Sequence, residues 1–116
     1  MTTFGAFAGG SPLPVIAPHG EFDADTLEPL ERDIEAAIAS HGGLILDAGN
    51  ITFGDSTFLQ LILTTHQRGW LRIAAPTAPL RRLFSVTGTD MVLHLHPDVT
   101  DAALAASMEA GAVPRA

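Results

Sequence analysis

Leu44-Ile45-Leu46-Asp47-Ala48-Gly49-Asn50-Ile51-Thr52-Phe53-Gly54-Asp55-Ser56-Thr57-Phe58-Leu59 is the stretch on which the reading of this chain turns. It opens on three consecutive apolar residues, the mark of a short strand covered on both faces. It ends where an apolar helix begins, expected from about Thr57 to Gln67 and stopped by Gly69. A carboxylate and a hydroxyl, Asp55 and Ser56, stand at the junction. Free backbone N–H groups and the positive end of the helix dipole meet there. Ser56 is therefore either an ordinary helix cap or a hydroxyl presented for chemistry.

Outward from this junction, apolar runs alternate with helical periodicity. Upstream, Leu13 to Ala17 reads as an edge strand, because Pro14 and Pro18 confine it to an edge or a bulge. Asp25-Thr26-Leu27-Glu28 has the form of a capping box. Leu27, Leu30, Ile34 and Ile38 follow as one stripe down a helix that Gly42-Gly43 ends. Downstream, Trp70 to Ala74 predicts a strand. A helix opens at Pro76-Thr77-Ala78-Pro79, turns Leu80, Leu83 and Phe84 inward and closes at Gly88. Met91 to His96 predicts a further strand, and Asp98 caps a last helix from about Val99 to Met108. Alternating strands and helices imply an α/β fold whose neighbouring strands run parallel through right-handed crossovers. The chain reads as one domain over residues 1–116, with a loose N-terminal arm over 1–11 and a frayed tail over 111–116.

Composition narrows the function classes. The chain has 116 residues and no cysteine, which removes disulfides, thiolate metal sites and a catalytic thiol. Thirteen acids against six bases give a net charge of −7, the wrong sign for sequence-independent nucleic-acid binding. All the bases are arginine. Seven acids crowd between Glu21 and Glu35, and four arginines lie between Arg68 and Arg82. No apolar run of about 18 residues predicts a membrane span. The start carries no positive charge ahead of an apolar run, so no signal peptide is expected.

The candidate chemistries are each weighed against a plainer alternative. His94 and His96 share a strand face, which is half a zinc site at best, and they read as strand residues at a sheet end. Gly54-Asp55-Ser56-Thr57-Phe58 is not the G-x-S-x-G elbow of a serine hydrolase. Neither phosphate-cradling glycine loop is present. Asp23 and Asp25 could hold Mg²⁺, but acids just ahead of a helix are commonly dipole partners.

Three stretches together resemble the STAS domain, in particular the stand-alone bacterial anti-sigma factor antagonists. They are Gly20-Glu21-Phe22-Asp23, the segment from Leu46-Asp47 through Ile51-Thr52-Phe53 to Asp55-Ser56-Thr57, and Pro76-x-x-Pro79-x-Arg81-Arg82-Leu83-Phe84-x-x-Thr87-Gly88. The likeness runs from about Pro14 to Leu104. It implies a STAS fold, a mostly parallel, mixed sheet of four to five strands with about four helices. It further implies a cytoplasmic binding protein, not an enzyme and without cofactor, monomeric when free. Its partners would be an ATP-dependent serine kinase that doubles as the anti-sigma factor, and a resetting phosphatase. Ser56 would be the phosphoacceptor, with Thr57 the alternative and Asp23 beside it. Asp23, Asp55, Ser56, Thr57, Phe58, Leu59 and Ile62 are the expected partner surface.

Phosphorylation adds about −1.5 to −2 charges at one point. Two like unit charges ~6 Å apart at an effective dielectric of ~20 repel by roughly 3 kcal/mol, on the order of a hundredfold in affinity. One modification would thus switch binding and leave the fold intact. The chain departs from the family pattern at two positions. Phe58 stands where the family usually has glycine, and Gly54 where it tends to an apolar residue. A rival reading is a STAS-like accessory subunit of a transporter or lipid-trafficking complex that uses the same face without phosphorylation.

Overall fold

The interleaving of apolar triplets with helical stripes produces an α/β arrangement in the computed structural model, which describes residues 13–112. The expected arm over 1–11 and the tail beyond 112 lie outside the described residues. In chain order the elements are β1 (Val15–Ile16), β2 (Gly20–Phe22), α1 (Glu28–His41), β3 (Gly43–Asp47), β4 (Ile51–Gly54), α2 (Ser56–Arg68), β5 (Trp70–Ala74), α3 (Ala78–Thr87), a 3-10 turn (Thr89–Met91), β6 (Leu95–His96) and α4 (Val99–Ala112).

The main sheet has the order β1-β3-β5-β6, and β2 and β4 form a second, two-stranded sheet. Every strand pair among the described residues is parallel, so the expected α/β class and parallel sheet stand. The central β3–β5 pairing runs from Gly43 opposite Trp70 to Asp47 opposite Ala74. Both outer strands are two residues long. Pro14 lies just before β1 and Pro18 just beyond it, and Pro97 follows β6, which blunts each edge against further pairing.

Alternation along β3 divides the core. Leu44 and Leu46 point into the larger apolar cluster, with Leu30 and Ile34 of α1, Phe58 and Ile62 of α2, and Leu80 and Phe84 of α3. Ile45 points the other way, into a smaller cluster with Leu13, Ala74, and Ala102 and Ala106 of α4. Helices α1, α2 and α3 thus share one face of the sheet, and among the described residues α4 is the helix on the other. Glycines in the left-handed conformation, Gly42 and Gly88, close α1 and α3, both at φ 76°.

Four expectations need correction. The strands β2 and β4 are absent from the sequence reading; each is short, and they exist only by pairing with each other across about thirty residues of chain. The expected capping box is not formed, because Leu27 is already helical in backbone and buried in the core, and no side chain caps α1. The predicted strand Met91 to His96 is reduced to Leu95–His96, since Thr89–Met91 winds into the 3-10 turn. Helix α4 continues past Met108 to Ala112, while Asp98 does cap it, its carboxylate accepting the Asp101 N–H at 2.7 Å.

Candidate functional site at the start of α2

The small β2–β4 sheet sets the site. Its register places Phe22 opposite Gly54, so the chain leaves both strands at the same end. The Asp55 N–H donates to the Phe22 carbonyl at 3.2 Å. The residues immediately after each strand, Asp23 and Asp55, are therefore brought together from distant parts of the sequence.

Asp55, and not Ser56, is the cap of α2. Its backbone is extended, and its Oδ1 accepts the Thr57 N–H at 2.9 Å, the Phe58 N–H at 3.2 Å and the Thr57 hydroxyl at 2.7 Å. The Thr57 hydroxyl, then the Phe58 amide, hold the Asp55 carboxyl below its ordinary range. Ser56 becomes the first helical residue. It is exposed, and its hydroxyl has no side-chain partner among the described residues. Thr57 is exposed as well, but its hydroxyl is committed to Asp55.

Asp23 organises a second turn. Its Oδ1 accepts the N–H groups of Asp25 and Thr26 at 2.9 and 3.1 Å, and its own N–H donates to the Thr26 hydroxyl at 2.9 Å. This reciprocal pair is a capping-box arrangement two residues earlier than the sequence suggests, built by Asp23 and Thr26 instead of Asp25 and Glu28. Thr26 was not singled out by sequence reasoning, although the spacing D-x-x-T was there to be read. Beside this turn, an open groove of about 440 Å³ is bordered by Pro18, His19, Glu21, Phe22 and Asp33.

The expected partner surface changes at its apolar members. Phe58 and Ile62 are fully buried, so neither offers a surface to a partner. With Thr65 they form the stripe 58-62-65 that a helical period turns inward. Leu59 is partly buried against the same core. Phe53 takes the exposed role, with half of its surface open (50%) and the exposed Glu21 opposite it in register.

The inward turn of Phe58 requires a residue without a Cβ at position 54. A Cβ placed on Gly54 would lie 2.4 Å from Cδ2 of the Phe58 ring. The Phe58 ring also meets Phe22, with centroids 6.1 Å apart. Glycine at 54 makes room for phenylalanine at 58. The volume beneath the Asp55-Ser56 turn is filled from the helix, by Phe58.

The histidines do not assemble a shared site. His94 precedes β6 and lies against His66 of α2, ring centroids 5.7 Å apart, while Nδ1 of His96 bonds Asp101 at 2.6 Å. Among the described residues, no three His, Asp or Glu side chains converge as metal ligands would, and no helix is long and apolar enough to cross a membrane.

No protein-family model matches the sequence, and no curated protein matches it. Solved structures do. An anti-sigma factor antagonist from Mycobacterium paratuberculosis matches with a TM-score of 0.72 at 29% identity, over 79% of this chain and 83% of that one. The anti-sigma factor antagonist SpoIIAA, in its unphosphorylated form, matches with a TM-score of 0.64 at 22% identity, over 76% of this chain and 82% of that one. The second likeness speaks for the fold alone. The chain has the STAS fold. Within that fold its likeness is to anti-sigma factor antagonists.

Proposed function

We propose that this chain is a cytoplasmic anti-sigma factor antagonist that binds an anti-sigma serine kinase and is switched off by phosphorylation of Ser56. The observation that carries the reading is the division of labour at the start of α2. Asp55 caps the helix and engages the Thr57 hydroxyl, which leaves the exposed Ser56 hydroxyl free for a kinase. The structural likeness to the mycobacterial antagonist supports the general role.

A phosphate on Ser56 is compatible with the fold. It would sit at the positive end of the α2 dipole, where added negative charge is tolerated. It would also stand beside Asp55, on a surface that includes Asp23, Asp25 and Glu21. Repulsion then falls on whatever acidic group a partner brings close, including the phosphates of the kinase's own ATP. The partner surface consists of Asp23, Asp55, Ser56 and Thr57, with Phe53 as its apolar member and Leu59 at its margin. A phosphatase would restore the binding form.

The test is capture of partners from the native cell by wild-type and Ser56→Asp protein, with mass analysis of Ser56. A serine kinase retained by wild type and lost with Ser56→Asp is the expected result. An ATPase-containing complex held equally by both proteins, with no phosphate on Ser56, would overturn it in favour of a constitutive adaptor subunit.

A further inference from the structure

Among the described residues, α4 is the helix that covers the sheet face opposite α2, and it is held in an unusual way. The apolar cluster it closes is made of Leu13, Ile45 and Ala74 with Ala102 and Ala106 of α4 itself. Three of the five are alanines, and among the described residues only Trp70 and Val99 add partly buried apolar surface to it, so the cluster is far smaller than the one on the other face. The outer face of α4 is apolar too, with Leu104 59% and Met108 69% exposed. Hydrophobicity therefore gives α4 little preference for the face it buries.

Polar contacts supply that preference at both ends. Near the start, Asp101 bonds Nδ1 of His96 at 2.6 Å. Near the end, Glu109 pairs with Arg72 and accepts the Trp70 indole N–H at 2.6 Å. Arg72 is a charge on a central strand, only 7% exposed, with its guanidinium 4.5 Å over the Trp70 ring. Its Nε, like Nε2 of His96, is buried without a hydrogen-bond partner among the described residues. A buried cation keeps its place when paired, and breaking the pair leaves an uncompensated charge beneath the helix.

We propose that α4 is a latch, released as a unit without unfolding the rest of the domain when the Arg72–Glu109 pair is broken, baring Trp70 and the small apolar cluster on that face of the sheet. The helices α1, α2 and α3 belong to the other cluster, on the other face, so the Ser56 region keeps its support when the latch opens. The latch stands independently of the proposed partner and of Ser56.

The groups around the clasp give it a sense in pH. Glu109 faces Trp70, Arg72 and His94; His94 faces Arg72, His66, His96 and Glu109. Burial, then the Arg72 charge, hold His94 below its ordinary value. Burial pushes the Glu109 carboxyl up, but the bonds from Trp70 and Arg72 outweigh it and leave it low. Glu109 resists protonation in the closed form through its bonds to Trp70 and Arg72, so acid favours opening. The stability that Glu109 lends the closed form is lost as pH falls through its lowered value.

Trp70 is the only tryptophan of the chain, and its indole is part of the clasp, which provides a built-in reporter. The experiment is amide hydrogen exchange at neutral pH, with Trp70 emission, on wild type and Glu109→Gln. In the variant, α4 amides are expected to exchange about tenfold faster or more while α1, α2 and β3 keep wild-type protection, and Trp70 emission shifts to the red. Unchanged α4 protection, or loss of protection in all elements together, would overturn the latch. Should Glu109→Gln fail to fold, the double variant Arg72→Met/Glu109→Met decides. It is expected to keep α4 protected at neutral pH and to weaken its acid-induced release; release on acidification equal to that of wild type would overturn the assignment.

Discussion

At the scale of single residues, the site rests on two side chains that sequence patterns misassign. Asp55, not Ser56, performs the capping, and Phe58, not an outward anchor, fills the space left by Gly54. The second point has a measurable consequence. Gly54→Ala forces its Cβ onto the Phe58 ring and should cost about 1–3 kcal/mol. Phe58→Ala empties the same volume and should cost roughly 3–5 kcal/mol. Because the two changes relieve one another, the double variant should be less destabilised than their sum, with a coupling of at least about 0.5 kcal/mol in a denaturation double-mutant cycle. Strict additivity would show that the two positions do not compete for one volume. Asp55 has its own signature. Its carboxyl is held low by Thr57 and then Phe58, so the stability it contributes is fully present above the ordinary carboxylate range. That contribution is lost as pH falls through the lowered value. Asp55→Asn should therefore melt below wild type at neutral pH, and the gap should narrow in strong acid, as thermal melts across pH would record.

At the scale of elements, close backbone approach matters more than propensity. Gly42 and Gly43 are neighbours in sequence, yet they serve different purposes. Gly42 is exposed and left-handed at φ 76°, so Gly42→Ala should cost about 1 kcal/mol from strain. Gly43 opens β3 against β5, where an added Cβ would meet the Trp70 carbonyl oxygen at 2.3 Å. No side-chain rotation relieves a clash with backbone, and the central strand pair itself must shift. Gly43→Ala should consequently be the more destabilising of the two in urea unfolding, and a reversed order would remove the register argument. The exposed Arg68–Glu35 pair between α2 and α1 is the opposite case, an ion pair at the surface from which little stability is expected.

At the scale of the whole molecule, the two sheet faces divide the work. One carries α2 and Ser56 over a large apolar cluster, and the other carries α4 over a small one closed by charge. A modification at Ser56 should leave the first face folded. Ser56→Asp is expected to change unfolding free energy by no more than about 0.5 kcal/mol while abolishing the proposed kinase binding. A substantially lowered melting temperature in that variant would mean that the switch acts on the fold and not on the interface.

The sequence by itself determined the elements that carry their own signal. The apolar triplet Leu44–Leu46, the stripe Leu30–Ile34–Ile38, the Gly42 and Gly88 stops and the Asp55-Ser56 junction all follow from periodicity and local backbone chemistry. With the three resembling stretches, they were enough to reach the fold and to point at Ser56. The tertiary structure alone decided what depends on residues far apart in the chain. It paired Gly20–Phe22 with Ile51–Gly54, turned Phe58 inward over Gly54 and Phe22, left Phe53 exposed in its place, and set Glu109 against Arg72. The physical reason is common to all of these. A short strand, a buried ring and a buried charge are stable only through partners that packing brings to them, and those partners are not written at any fixed spacing in the chain.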